Sequence, residues 1–205
     1  PRLIIVHAMT GAGWVQGAEL VFESTQRTGD YHGQMNWENF STWFAEQLLP
    51  HIPAHSLIIL DNAPYHNVVV EDAFPTPQSR KEQLCTWLTR NDIPWTPDML
   101  KPELYKLCKK FAPAPELRLD QLAHASGHSI LRTPQYHPEL QPIETCWGIV
   151  KNHMADHCDF TLKNFRQQLP IALLKVKPST CRKLIAKVVE QEEKYWAEDE
   201  QLYEH

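Results

Sequence analysis

The chain has 205 residues, of which 42% are hydrophobic, and a formal net charge of −5. That is enough for one domain with a core, or for a domain plus an insert, and the charge excludes a protein that coats nucleic acid wholesale. No apolar run approaches the roughly 20 residues of a membrane helix, and the first residues lack a signal peptide's long apolar region and cleavage site. A soluble, intracellular, non-secreted protein is expected. Its five cysteines, Cys85, Cys108, Cys146, Cys158 and Cys181, show no tight pairing pattern, which fits a reducing compartment.

In chain order, residues 3–9 read as a buried strand, followed by a turn at Thr10 to Gly13. Residues 18–24 suggest a second strand, paired with the first as a hairpin. Asn36 can cap a helix to about Leu49, with Trp37, Phe40, Phe44 and Leu48 as its apolar stripe. Residues 56–60 (SLIIL) are the clearest strand and run into the turn signal Asp61-Asn62-Ala63-Pro64. Residues 79–90 and 101–110 carry short helical patterns joined by an extended segment. A helix over 116–126, a strand over 128–132 and a proline-bearing loop to Gln141 follow. Pro142 suits the first turn of the next helix, where its missing N–H costs nothing. Helices at about 161–175 and 179–202 complete an α/β order with helices concentrated late.

The overall charge hides an asymmetry. Thr145 to Lys187 holds eight Lys and Arg against two acids, while Val188 to the end holds one Lys against seven acids. A solvated helix surface accounts for this, as does a phosphate-facing stretch followed by an acidic tail.

Two carboxylates sit where chemistry could use them. Asp61 lies at the end of an apolar strand, and ligands of open α/β sheets bind outside the carboxyl ends of strands. An Asx turn explains it equally well. Glu144 lies in the first turn of its helix, where capping alone favours an acid. It shares a face with Gly148, which leaves space beside it, and with Lys151, which could meet a phosphate. Displacement at a phosphodiester uses two Mg²⁺ about 3.5–4 Å apart. Mg²⁺ takes hard oxygen ligands and keeps several waters, so a few carboxylates suffice.

The contexts of the two acids, LIILDNAPYHN (57–67) and LRTPQYHPELQPIETCWGIVKNHM (131–154), together resemble the catalytic domain of DDE transposases of the mariner-like superfamily. Asp61, Asn62, Ala63 and His66 match the motif of the second acid. Pro134, Tyr136, Pro138, Leu140, Pro142, Ile143, Glu144 and Trp147 match that of the third, with Gln141 where Asn is usual. The resemblance implies an RNase H-like fold, a mixed sheet flanked by helices. Residues 1–70 and 116–160 would form the catalytic core, 71–115 a helical insert, and 161–205 the C-terminal helices. It implies Mg²⁺ or Mn²⁺ held by Asp61 and Glu144, endonuclease and strand-transfer activity, transposon-end and target DNA as partners, and a homodimer when two ends are paired. A nuclear location follows if the source is eukaryotic, and cytoplasm or nucleoid otherwise. Lys151, His66, His137, Lys163 and Arg166 are the candidate DNA contacts, with His66 and His137 alternatively in the outer shell of the metal.

Two departures from the family pattern matter. The interval from Asp61 to Glu144 exceeds that of many members, and the excess maps to the insert, whose helix–extended loop–helix is similar to SAP-type DNA-binding motifs. A structural lid explains it as well. The family's first Asp sits on the first, central strand, shortly before a segment like RLIIVHAM, and no Asp precedes that segment here. Glu19, Glu23 and Asp30 fall later, where no ligand is implied. The expectation is a fragment, a truncated product, or a domesticated, inactive DNA- or protein-binding remnant. His153, His157, Cys146 and Cys158 lack the spacing of a zinc site.

Overall fold

The computed structural model describes residues 3–23, 35–70, 74–112, 114–159 and 161–203. Asp30 lies outside them. The chain divides into two compact units, residues 1–67 with 119–205, and residues 68–118.

In the larger unit, β1 (Leu3–Val6) pairs antiparallel with β4 (Leu20–Glu23), in register from Leu3 opposite Glu23 to Val6 opposite Leu20. Between them a ribbon of β2 (Met9–Thr10) and β3 (Gly13–Trp14) closes around the expected turn. The strand expected over 3–9 is therefore broken after Val6, where the chain turns into a second, separate pairing. Gly13 has φ +112, a conformation that suits glycine.

Asn36 caps α1 (Trp37–Trp43), its Oδ1 accepting from the Asn39 N–H at 2.9 Å. The helix widens into a π turn over Phe44–Leu48 and tightens over Leu49–His51, where Pro50 ends it. Its stripe of Phe40, Trp43, Phe44 and Leu48 forms the main core with Val15, Ala18, Leu119 and Ala123. β5 (Leu57–Leu60) pairs in parallel with β6 (Ser129–Arg132), Leu57 opposite Ser129 and Leu60 opposite Arg132. Ile58, Leu60 and Ile130 pack on the main core. Leu57, Ile59 and Leu131 are 57%, 52% and 48% exposed. β5, an unbroken apolar run in the sequence, is thus covered on one face only.

A second core lies under α5 (Pro142–His157), α6 (Leu162–Leu173) and α7 (Pro178–Tyr203). Cys146, Val150, Met154, Leu169, Leu173 and Cys181 fill it, and Ile5 and Val21 of the hairpin pack against it. Burial, then the neighbouring Cys181 thiol, pushes the Cys146 thiol up to about 12, so it serves as a small apolar side chain. No helix among the described residues is long and apolar enough to cross a membrane.

The smaller unit has its own core. α2 (Lys81–Arg90) and α3 (Lys101–Lys110) bury Leu84, Leu88, Leu104 and Cys108 with Ile93 between them. Gln83 and Glu103 each reach back to a backbone N–H at the helix start, at 2.7 Å. The unit's two ends are zipped by the Val69–Leu117 bridge.

Candidate active site

Because β5 and β6 are parallel and in register, the chain leaves both at the same edge, Asp61 after one and Thr133 after the other. Thr133 is buried and makes four connections, one of them from its hydroxyl to the Leu60 carbonyl at 3.5 Å. Its N–H donates to the Leu60 carbonyl at 2.9 Å. Its carbonyl accepts from Asn62 Nδ2 at 2.6 Å. Its Oγ1 accepts from Gln141 Nε2 at 2.7 Å. The Gln141 carbonyl in turn accepts the Glu144 N–H at 3.1 Å, opening α5. A continuous run of hydrogen bonds therefore joins the neighbour of Asp61 to the first turn that carries Glu144.

Both acids are exposed. Asp61 Oδ1 accepts from the Ala63 N–H at 3.0 Å, which is the Asx turn, and from His66 Nδ1 at 2.8 Å. The turn and a site role coexist, because the turn fixes the carboxylate on the strand end. His66 Nδ1 lies between two acceptors, Asp61 Oδ1 and the Asp61 carbonyl, so Nδ1 carries the hydrogen. The imidazole is 6% exposed and packs on Phe40 and Tyr65, with ring centroids 4.3 and 4.5 Å away. The phosphate contact expected of His66 does not fit this placement. The ring is buried and its Nδ1 is engaged by Asp61. Burial, and then the Asp61 charge, raise the Tyr65 hydroxyl above its ordinary value.

Arg132 supports the same loop. Its Nη1 donates to both Asp120 oxygens at 2.9 and 3.1 Å, its Nε to Asn67 Oδ1 at 2.6 Å, and its Nη2 to the His66 carbonyl at 2.9 Å. Sequence reasoning missed Arg132 and Thr133. The signal for Arg132 was a charged residue at an inward position, alternating with Ile130, where only a paired charge is tolerated.

The loop Thr133–Gln141 is also tied on its far side. His137 Nδ1 meets Glu139 Oε1 at 2.7 Å, and the Tyr195 hydroxyl of α7 donates to the same oxygen. The Tyr195 and His137 hydrogen bonds hold the Glu139 carboxyl down at about 2, and Glu139 raises the Tyr195 hydroxyl. Tyr136, in the middle of the loop, has φ +66, a left-handed conformation costing a residue with a Cβ on the order of 1–2 kcal/mol.

On α5, a Cβ built at Gly148 would meet nothing within 4 Å, so the space expected beside Glu144 exists. Lys151 is exposed one turn further on. Lys163 and Arg166 are exposed on α6, where Arg166 Nη2 is paired with Glu23 Oε1 of β4. Asp61 and Glu144 are thus joined through Thr133, and Lys151 shares Glu144's helix, whereas Lys163 and Arg166 belong to a different element. Among the described residues, no three His, Cys, Asp or Glu side chains converge on a metal position.

A family model for DDE superfamily endonucleases matches residues 22–164. The chain belongs to this family. The matched stretch contains Asp61, Thr133, Gln141 and Glu144, so the run of hydrogen bonds lies inside it. DDE endonucleases act on DNA, and the mixed α/β architecture agrees with such a domain. No curated protein matches the chain.

Proposed function

We propose that this DDE endonuclease domain carries out phosphodiester hydrolysis and strand transfer on DNA of the mariner-like transposase type, with Asp61 and Glu144 as its metal-holding carboxylates. The observation that carries the reading is the connection through Thr133. It ties the loop after Asp61 and the first turn of α5, which carries Glu144, to one strand-end residue, although the two acids are more than half the matched stretch apart in sequence.

The donor set fits Mg²⁺ or Mn²⁺. Both acids offer hard oxygens, and His66 donates to Asp61, an orienting partner typical of metal-holding carboxylates. When bound, such ions stabilise negative charge on the attacking and leaving oxygens. The protein's own residues do the remaining work. His66 Nδ1–H and the Ala63 N–H hold the Asp61 carboxylate, Arg132 fixes the loop, and Gly148 keeps room beside Glu144. Lys151 is placed to meet a phosphate, with Lys163, Arg166 and His137 contributing to DNA contact further out.

In this reading the family's first Asp would come from a further strand of an RNase H-like sheet. Among the described residues β1 pairs only with β4 and β5 only with β6, although both pairs pack on one core. A strand between them would make a single mixed sheet. The same reading makes the 68–118 unit a SAP-like accessory to DNA binding. It also has the protein working as a homodimer in the compartment that holds DNA.

The test assays the full-length protein that contains this chain for Mn²⁺-dependent nicking of DNA. Nicking is expected, and is expected to vanish in Asp61→Asn and in Glu144→Gln. Nicking retained by either variant refutes the site. Mg²⁺-dependent cleavage by the 205-residue chain alone, as a stable monomer, refutes the need for a further strand.

A further inference from the structure

Tyr136 is the most exposed of the large hydrophobic side chains among the described residues, at 94%. No ring contact or hydrogen bond to another described residue engages its side chain. Its backbone is in the left-handed region, where a bulky aromatic residue is rarely found. An aromatic ring held in solvent on a strained backbone does nothing for folding, and strain of this kind collects at binding sites.

The surroundings make the placement firm. Pro134 and Pro138 restrict the chain on either side. The loop is tied at its start through Thr133, at its end through Gln141, and in its middle through His137 and Glu139 to Tyr195 of α7. The ring therefore stands on a fixed mount, on the loop that leads into Glu144. A tyrosine so placed offers a flat, rigid face at small entropic cost. The ligand that fits one free aromatic face is another flat ring, and a nucleobase presents its face only when unpaired or turned out of the duplex stack.

We infer that Tyr136 is a stacking platform for an unpaired nucleobase beside the Asp61–Glu144 site. The inference rests on the reading of that site as one that works on DNA, and it adds that the substrate is locally opened there.

The test uses the 205-residue chain and two short duplexes, one fully paired and one with a single unpaired 2-aminopurine. Wild type is expected to bind the unpaired substrate more tightly and to quench the 2-aminopurine on stacking. Tyr136→Ala is expected to lose the quenching and to bind that substrate about 5- to 100-fold more weakly, as removal of one base–aromatic stack implies. Affinity for the paired duplex should not change, and Tyr136→Phe should behave as wild type. Tyr136→Gly, which relieves the backbone, should melt no lower than wild type. Unchanged affinity and quenching in Tyr136→Ala overturn the inference and leave the DNA reading standing. Equal weakening on both duplexes overturns it too, because a general contact is then enough. Failure of wild type to bind either duplex overturns both readings.

Discussion

Leu3–Val6 with Leu20–Glu23, and Leu57–Leu60 with Ser129–Arg132, are strand pairs of equal length and similar apolar content. The first pair is covered on both faces. Ile4, Val6, Leu20 and Phe22 reach the main core, while Ile5 and Val21 reach the core under α5 to α7. The second pair sends Ile58, Leu60 and Ile130 inward and leaves Leu57, Ile59 and Leu131 in solvent. Parallel strands are ordinarily covered on both faces. The half-clad pair is also the one that ends in Asp61 and Thr133. The well-covered sheet anchors the helices, and the less covered one ends in Asp61 and in the threonine whose hydrogen bonds lead to the start of α5.

Substitution along β5 tests this difference most directly. Phe44→Ala, in the shared core, should cost about 3–5 kcal/mol and Ile58→Ala about 2 kcal/mol, measured by urea unfolding. Ile59→Ala, one residue on, should stay within roughly 0.5 kcal/mol. Equal costs at Ile58 and Ile59 would mean that the outer face of the pair is covered in solution, and the contrast would fail.

A smaller effect is expected at the joint between the strand ends. Thr133→Val keeps the shape but removes the acceptor for Gln141, so stability should fall by about 1–2 kcal/mol. DNA cleavage by the full-length protein should fall further than stability does, because the loop leading into Glu144 loses its tie. A variant that is destabilised yet cleaves at the wild-type rate would reduce Thr133 to a purely structural part.

The smallest effect belongs to the exposed tie between the loop and α7. Glu139 is held at about 2, below its ordinary 4.5, so its contribution is present above pH 4.5 and is lost as pH falls toward 2. Tyr195 is raised above 10, so its contribution is present below pH 10 and is lost above it. The melting temperature of Tyr195→Phe should therefore lie slightly below wild type at neutral pH and converge on it below pH 2. A difference that persists unchanged at low pH would show that Glu139 is not the partner that matters.

Local signals were legible in the sequence. The Asn36 cap, Pro142 in the first turn of α5, the hairpin of β1 and β4, and the positions of Asp61 and Glu144 all follow from period, capping and turn chemistry. These depend on neighbours a few residues away, and so do the motifs that placed the chain in its family. The tertiary structure alone decided what covers what. The pattern LIIL in β5 is apolar throughout, yet alternate residues face solvent, because no residue in that run encodes the presence of a covering layer. His66 reads as a loop histidine and turns out to be packed on Phe40 of a distant helix. Arg166 reads as a free cation and is paired with Glu23. Thr133 is an ordinary residue in sequence, and becomes the joint of the site only because two parallel strands end side by side. The sequence by itself determined which acids are available and which elements carry them. How the segments that carry those acids are tied together was decided by contacts between residues far apart in the chain.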